Sequence, residues 1–132
     1  MKSNKINFTN YKIKNAADNS ADIYLYDDIG ESIDWNTWSL KGITYAKFEE
    51  EFNAILETAS KINIRVNSTG GDVHVGLSIY NLISRNNSKN IHIYIDGVAY
   101  SMAAIITQAV KKQNIHMSEN AMLMLHSASG FV

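Results

Sequence analysis

The 132-residue chain contains no cysteine and no proline. Without cysteine there is no disulfide framework, no thiolate zinc or iron–sulfur site and no Cys nucleophile. A reducing cytoplasm is compatible with that composition. No apolar run approaches the ~20 residues that cross a bilayer, and the Met1–Phe8 start has no secretory signal pattern. Charge of one sign is also lacking, for the net charge is −1. Four lysines face Asp18 in residues 1–21, nine acids face Lys41 and Lys47 in 22–57, and six bases face three acids in 58–132. None of these is a dense basic stripe, so neither nucleic acid nor a membrane is an expected partner. The acidic middle reads as a solvated face.

Hydrophobic residues make up 45% of the chain, enough for one domain with a core of its own. Residues 1–21, rich in Asn and Lys, read as a poorly ordered arm, and residues 22–132 as the domain. Asp22–Asp27 is rich in β-branched and aromatic residues and predicts a strand. Trp35 and Trp38 sit in a polar stretch without a clear period. Thr44 is a candidate N-cap, followed by Phe48, Phe52, Ile55 and Leu56 at helical spacing with glutamates on the outer side. Lys61–Asn67 alternates apolar and polar residues before Ser68-Thr-Gly-Gly-Asp72, a strand running into a glycine turn. Val73, Gly76, Leu77, Tyr80 and Ile83 then follow helical spacing. Ile91–Ile95 predicts the next strand, and Met102, Ile105, Ile106, Ala109 and Val110 a helix with Lys111 and Lys112 in its last turn. Short strands follow at 115–117 and 121–125. Alternating strands and helices predict an α/β fold of repeated β-α-β units with a mainly parallel sheet.

Two features could carry chemistry. Gly70-Gly71 can adopt backbone conformations closed to other residues, although a plain tight turn would use them too. Ser101 stands where a strand meets a helix, beside unpaired N–H groups that could hold an oxyanion; a plain N-cap is the competing reading. His126 ends an apolar strand, a position suited to a base facing a cleft or to a hydrogen-bonded structural role. His74, His92 and His116 lack metal-ligand spacing, so no metal site is expected. The Gly97-Val-Ala-Tyr-Ser101 sequence is not the GxSxG elbow, because its serine comes too late.

Taken in order, Ile64-Arg-Val-Asn-Ser-Thr-Gly-Gly71-Asp-Val, Gly76-Leu-Ser-Ile-Tyr80, Asp96-Gly-Val-Ala-Tyr-Ser101-Met-Ala-Ala and Met124-Leu-His126 resemble the Clp-type serine peptidases (ClpP), including a 25-residue Ser-to-His separation. The resemblance spans residues 22–132 and implies the ClpP/crotonase-like fold, without its C-terminal part. Asp22–Gly30, Gly-Gly-Asp-Val and Asn120–His126 are most similar to the phage head-maturation (prohead) branch. The resemblance implies a serine endopeptidase with Ser101 as nucleophile, His126 as general base, and the N–H groups of Gly71 and Met102 as oxyanion hole, with Gly70 supporting the turn. It implies a protein or peptide substrate, a homo-oligomeric ring in the cytoplasm, phage capsid or scaffold proteins or an AAA+ ATPase as partners, and no cofactor. Thr69 stands where the family has proline, which should loosen the turn. The family's third triad acid lies downstream of the histidine, and Ser127–Val132 holds no carboxylate side chain. The alternatives are a housekeeping Clp degradation subunit, an inactive assembly component of the same fold, and an acyl-CoA enzyme of the crotonase type; the Ser101/His126 pair argues against the last.

Overall fold

A computed structural model describes residues 11–15 and 18–130. Its main sheet contains β1 (Tyr11–Asn15), β2 (Ser20–Leu25), β5 (Lys61–Ser68), β6 (Ile91–Tyr100), β7 (Ile115–Met117) and β8 (Met122–Met124). Between β2 and β5 run a small hairpin, β3 (Ser32–Asp34) with β4 (Ser39–Lys41), and helix α1 (Tyr45–Thr58). Helix α2 (Val73–Arg85) joins β5 to β6, and α3 (Met102–Thr107) leads towards β7. The path across the sheet is β1-β2-β5-β6-β7. All pairs are parallel except β1 with β2. The expected α/β class with a mainly parallel sheet is therefore what the chain adopts.

Alternation explains the central strands. Ile62, Ile64 and Val66 of β5 and Ile91, Ile93 and Ile95 of β6 are buried, in one core with Phe48, Phe52, Ile79, Leu82 and Ile106 from the helices. Residues between them, Arg65, His92, Tyr94 and Asp96, are only partly buried and share the other face of the sheet. Thr44 caps α1 as expected, its Oγ1 accepting from Lys47 N at 3.2 Å.

The structure departs from the sequence reading at several points. The expected arm lies partly outside the described residues, but residues 11–15 form β1, so the sheet begins inside it. Glu51 turns inward instead of outward, 3.6 Å from Lys47 Nζ. In α2 the buried residues are Gly76, Ile79, Leu82 and Ile83, while Val73 and Leu77 are exposed. Helix α3 is much shorter than its apolar stripe. Thr107 Oγ1 donates to Ala104 O at 2.6 Å, and Gln108 N and Ala109 N reach back only three residues, so the last turn tightens and stops. Lys111 and Lys112 consequently lie beyond α3, at the start of a single 3-10 turn (Lys112–Asn114) rather than at the helix C-terminus. Trp35 and Trp38 sit across the β3–β4 turn, 69% and 76% exposed, in an edge-to-face pair 5.4 Å apart. The strand before His126 is apolar but exposed, including all of Met122–Leu125.

The other edge of β6 is shared by two short strands. β7 pairs with Ile93–Ile95 and β8 with Val98–Tyr100, so together they make one interrupted edge. This arrangement carries the chain from His116 to His126 along the strand that ends at Ser101.

Candidate functional site

The glycine turn is built from β5 outward. Ser68 Oγ donates to Asp27 O at 2.7 Å and accepts from Gly70 N at 3.1 Å. Ile29 bridges the turn: its N–H donates to Gly70 O at 2.9 Å, and its carbonyl accepts from Asp72 N at 2.8 Å. Thr69 Oγ1 donates to Asp28 Oδ1 at 3.2 Å, so the residue expected to loosen the turn is tied to the neighbouring strap. Gly70 and Gly71 have φ of +94° and +149°, both in the range that favours glycine. A Cβ on Gly70 would lie 2.6 Å from Tyr100 O, 2.9 Å from Ser101 Cβ and 3.1 Å from Met102 N. The turn is thus pressed against the start of α3. A Cβ on Gly71 would overlap the Ile29 carbonyl. Gly71→Ala is therefore expected to destabilise the chain by about 3 kcal/mol, the upper range for one strained residue. Thermal unfolding checks this; an unchanged Tm would mean the Ile29 strap does not hold the turn.

Ser101 closes the other side. Its φ of 54° and ψ of −123° are a conformation that non-glycine residues rarely adopt, and such strain costs of order 1–3 kcal/mol. Two backbone bonds hold it, Ser101 N to Met124 O at 2.8 Å and Ile105 N to Ser101 O at 3.2 Å. Its side chain makes no capping bond. The plain N-cap reading fails on that point. Met102 N is the first N–H of α3 and has no partner four residues back, and Gly71 N–H donates to no acceptor among the described residues. Two amide donors, one at the start of α3 and one in the glycine turn that packs against it, are therefore unused.

His126 lies two residues past Met124, whose carbonyl is bound to Ser101 N. Its ring is exposed, and Nδ1 lies 2.7 Å from Ser127 O. Nδ1 must be the donor there, because a carbonyl only accepts; this leaves Nε2 with the free lone pair in the neutral ring. Ser101, Met102 and Gly70 are brought together, and β8 joins them through Met124. No hydrogen bond links His126 to Ser101 among the described residues.

The two acids in motif context are engaged elsewhere. Asp72 caps α2, accepting from Val75 N at 2.9 Å. Asp96 accepts from Arg65 Nε at 2.8 Å and from Tyr26 OH at 2.6 Å. Burial and that carboxylate push the Tyr26 hydroxyl up to about 12, and Asp96 likewise raises Arg65. Among the described residues no group of three His, Asp or Glu is placed to hold a metal.

Sequence reading missed the residues that brace the site. Asn67 Oδ1 accepts from Val98 N at 3.0 Å where the β5–β6 register shifts, and its side chain fills the space above Gly97. Ser68 and Ile29 pin the turn as described. The Asn-Ser pair ahead of Gly-Gly was the available signal, since both side chains readily bond nearby backbone. A cavity of about 400 Å³ opens beside the turn, lined by residues 28–32 and 69–72.

The family model for Clp protease matches residues 41–132. The chain belongs to the Clp protease family. It is 39% identical over 75 residues to an ATP-dependent Clp protease proteolytic subunit of Carsonella ruddii (strain PV), covering 57% of this chain and 38% of that protein. It is 36% identical over 69 residues to ATP-dependent Clp protease proteolytic subunit 2 of Chlamydia pneumoniae, covering 52% and 34%. This Clp family chain thus spans little over a third of those relatives. In fold it is similar to ClpP1 from Listeria monocytogenes (TM-score 0.63, 20% identity, 80% of this chain and 55% of that one). It also resembles the ClpP protease catalytic domain from Plasmodium falciparum (TM-score 0.62, 24% identity, 80% and 54%). Among the described residues no helix is long and apolar enough to cross a membrane.

Proposed function

We propose that the chain is a serine endopeptidase subunit of the Clp type, with Ser101 as nucleophile and His126 as general base. One observation carries this reading: a strained serine whose hydroxyl makes no capping bond opens α3, pressed against the glycine turn through Gly70, and the Gly71 and Met102 amides have no acceptor among the described residues. A site built only for stability would not keep a non-glycine residue at positive φ beside free N–H groups.

The chemistry follows from that geometry. Ser101 Oγ attacks the scissile carbonyl and gives its proton to His126 Nε2. The carbonyl oxygen becomes an oxyanion between Gly71 N–H and Met102 N–H, each donor of that kind contributing about 3 kcal/mol. His126 returns the proton to the leaving amine. Water then cleaves the acyl-enzyme with His126 again as base.

The relatives' names describe ATP-dependent proteolytic subunits. By that likeness the subunit works in a homo-oligomeric ring with an AAA+ ATPase, on protein substrates in the cytoplasm. The prohead branch is the second reading, favoured by Asp22–Gly30 and Gly-Gly-Asp-Val; it would take capsid or scaffold proteins as substrates. Cleavage of a scaffold protein without ATP and ATPase would favour that branch, and a requirement for both would favour the first.

Fluorophosphonate labelling tests the peptidase reading itself. A phosphonylated Ser101, located by mass spectrometry, is the expected result. An unlabelled Ser101 in folded protein would leave the inactive assembly component as the better account.

A further inference from the structure

His92 on β6 and His116 on β7 take no part in the proposed chemistry, yet they form the closest side-chain contact across that edge of the sheet. His92 Nδ1 lies 2.9 Å from His116 Nε2, with the rings 13° from parallel and their centroids 5.2 Å apart. Those nitrogens approach closer than stacked rings can lie, since carbon faces meet at about 3.5 Å or more. The imidazoles therefore meet edge to edge, one N–H aimed at the other's lone pair. His92 Nε2 lies 2.9 Å from Asn90 Oδ1. With that oxygen as acceptor, His92 Nε2 carries a proton, Nδ1 accepts, and His116 Nε2 donates in the neutral pair. One added proton can be accommodated: it goes to the bare Nδ1 of His116, whose Nε2 still donates to His92 Nδ1. Two added protons cannot, because both facing nitrogens would be donors.

The surroundings oppose that second charge. On β5, Lys61 Nζ lies 3.4 Å from Tyr94 OH, and the Arg65 guanidinium lies 4.9 Å from the Tyr94 ring centroid. On β6, Tyr94 stacks on His116 at 4.5 Å, and Asp96 is held by Arg65 and Tyr26. Burial, with Lys61 and His116 adding to it, holds His92 below the usual histidine range.

β7 is an edge strand of three residues, held by its pairing with Ile93–Ile95, by Asn114 Nδ2 on Ile91 O and Ser118 N on Ile95 O, both at 3.0 Å, and by the histidine contact. We propose that His92 and His116 share a proton that clamps β7 to β6, and that charging both rings in acid releases β7 and loosens the interrupted edge leading to His126. The sign follows from linkage. A histidine held low in the folded state binds protons more readily when released, so the clamp is intact above the ordinary value of about 6.5 and fails as pH falls below it.

The test uses the whole chain with ¹⁵N-labelled histidine, followed by NMR from pH 8 to 4.5, alongside amide hydrogen exchange. Two coupled steps are expected for the His92–His116 pair. Between pH 7.5 and 5, protection at Ile115–Met117, corrected for intrinsic exchange, should fall about tenfold more than at β5. His116→Phe keeps a ring on Tyr94 but cannot titrate, and should remove that extra loss. Independent titration of both rings near 6.5 would overturn the proposal, as would an acid loss that persists in H116F. If H116F does not fold, the coupled or uncoupled titration of the unmodified chain decides.

Discussion

In a form whose triad is complete, Ser101→Ala is expected to lower peptide turnover by about 10⁶-fold, the loss typical when a nucleophile that acts as a unit with its base is removed. Fluorophosphonate labelling should vanish with it. The two amide donors and the turn stay in place in this variant, because Ser101 is held through its backbone by Met124 and Ile105. Only weak catalysis by the remaining oxyanion hole should survive. Ser101→Gly should be equally inactive but more stable, by about 1 kcal/mol, since glycine relieves the strain at φ 54°. Thermal unfolding beside a fluorogenic peptide assay reads both effects. A gain in stability coupled to a loss of turnover would show that strain is kept at this position for function. Turnover retained in either variant would remove Ser101 from the mechanism.

Much of this architecture was legible in the sequence because two periods dominate it. Alternation in 61–67 and 91–95 fixed the central strands, and the Thr44 cap with Phe48, Phe52 and Ile55 fixed α1. The period failed where other forces decided. In α2 apolar residues occur on more than one face, so spacing alone could not choose between Leu77 and Ile79. Helix α3 ended early because Thr107 takes a backbone carbonyl, a contact that an apolar stripe cannot reveal. Met122–Leu125 read as an apolar strand yet is exposed, since hydrophobicity is a poor guide to burial on a short edge. For the site, the order of Gly70-Gly71, Ser101 and His126 was readable, and so was the helix start at Ser101. The strain at Ser101 and the Ser68 and Ile29 braces were not, because they arise from contacts between segments about twenty to forty residues apart.

Turnover by residues 1–132 alone is expected to lie about 10⁴-fold below that of a form in which a carboxylate reaches His126 Nδ1, the loss associated with removing the acid of a triad. The structure shows which part of the acid's work is already done. Ser127 O accepts from His126 Nδ1 at 2.7 Å, so the ring is held in the tautomer that leaves Nε2 free to act as base. A neutral carbonyl cannot match a carboxylate in stabilising the imidazolium that forms when Ser101 gives up its proton. Asp72 and Asp96 are committed to the α2 cap and to Arg65 and Tyr26, and Ser127–Val132 offers no acidic side chain. Labelling and turnover should therefore separate. Ser101 should react with a fluorophosphonate, whose reactive phosphorus asks less of the base, while peptide hydrolysis stays slow. A longer chain carrying a downstream aspartate should recover hydrolysis with little change in the amount of Ser101 that labels. Equal Ser101-dependent hydrolysis by the two lengths would mean that the Ser127 carbonyl suffices, or that the acid comes from another subunit. Mixing the 132-residue chain with a Ser101→Ala version of the longer one would distinguish these, since only an acid supplied by a neighbour would raise its rate.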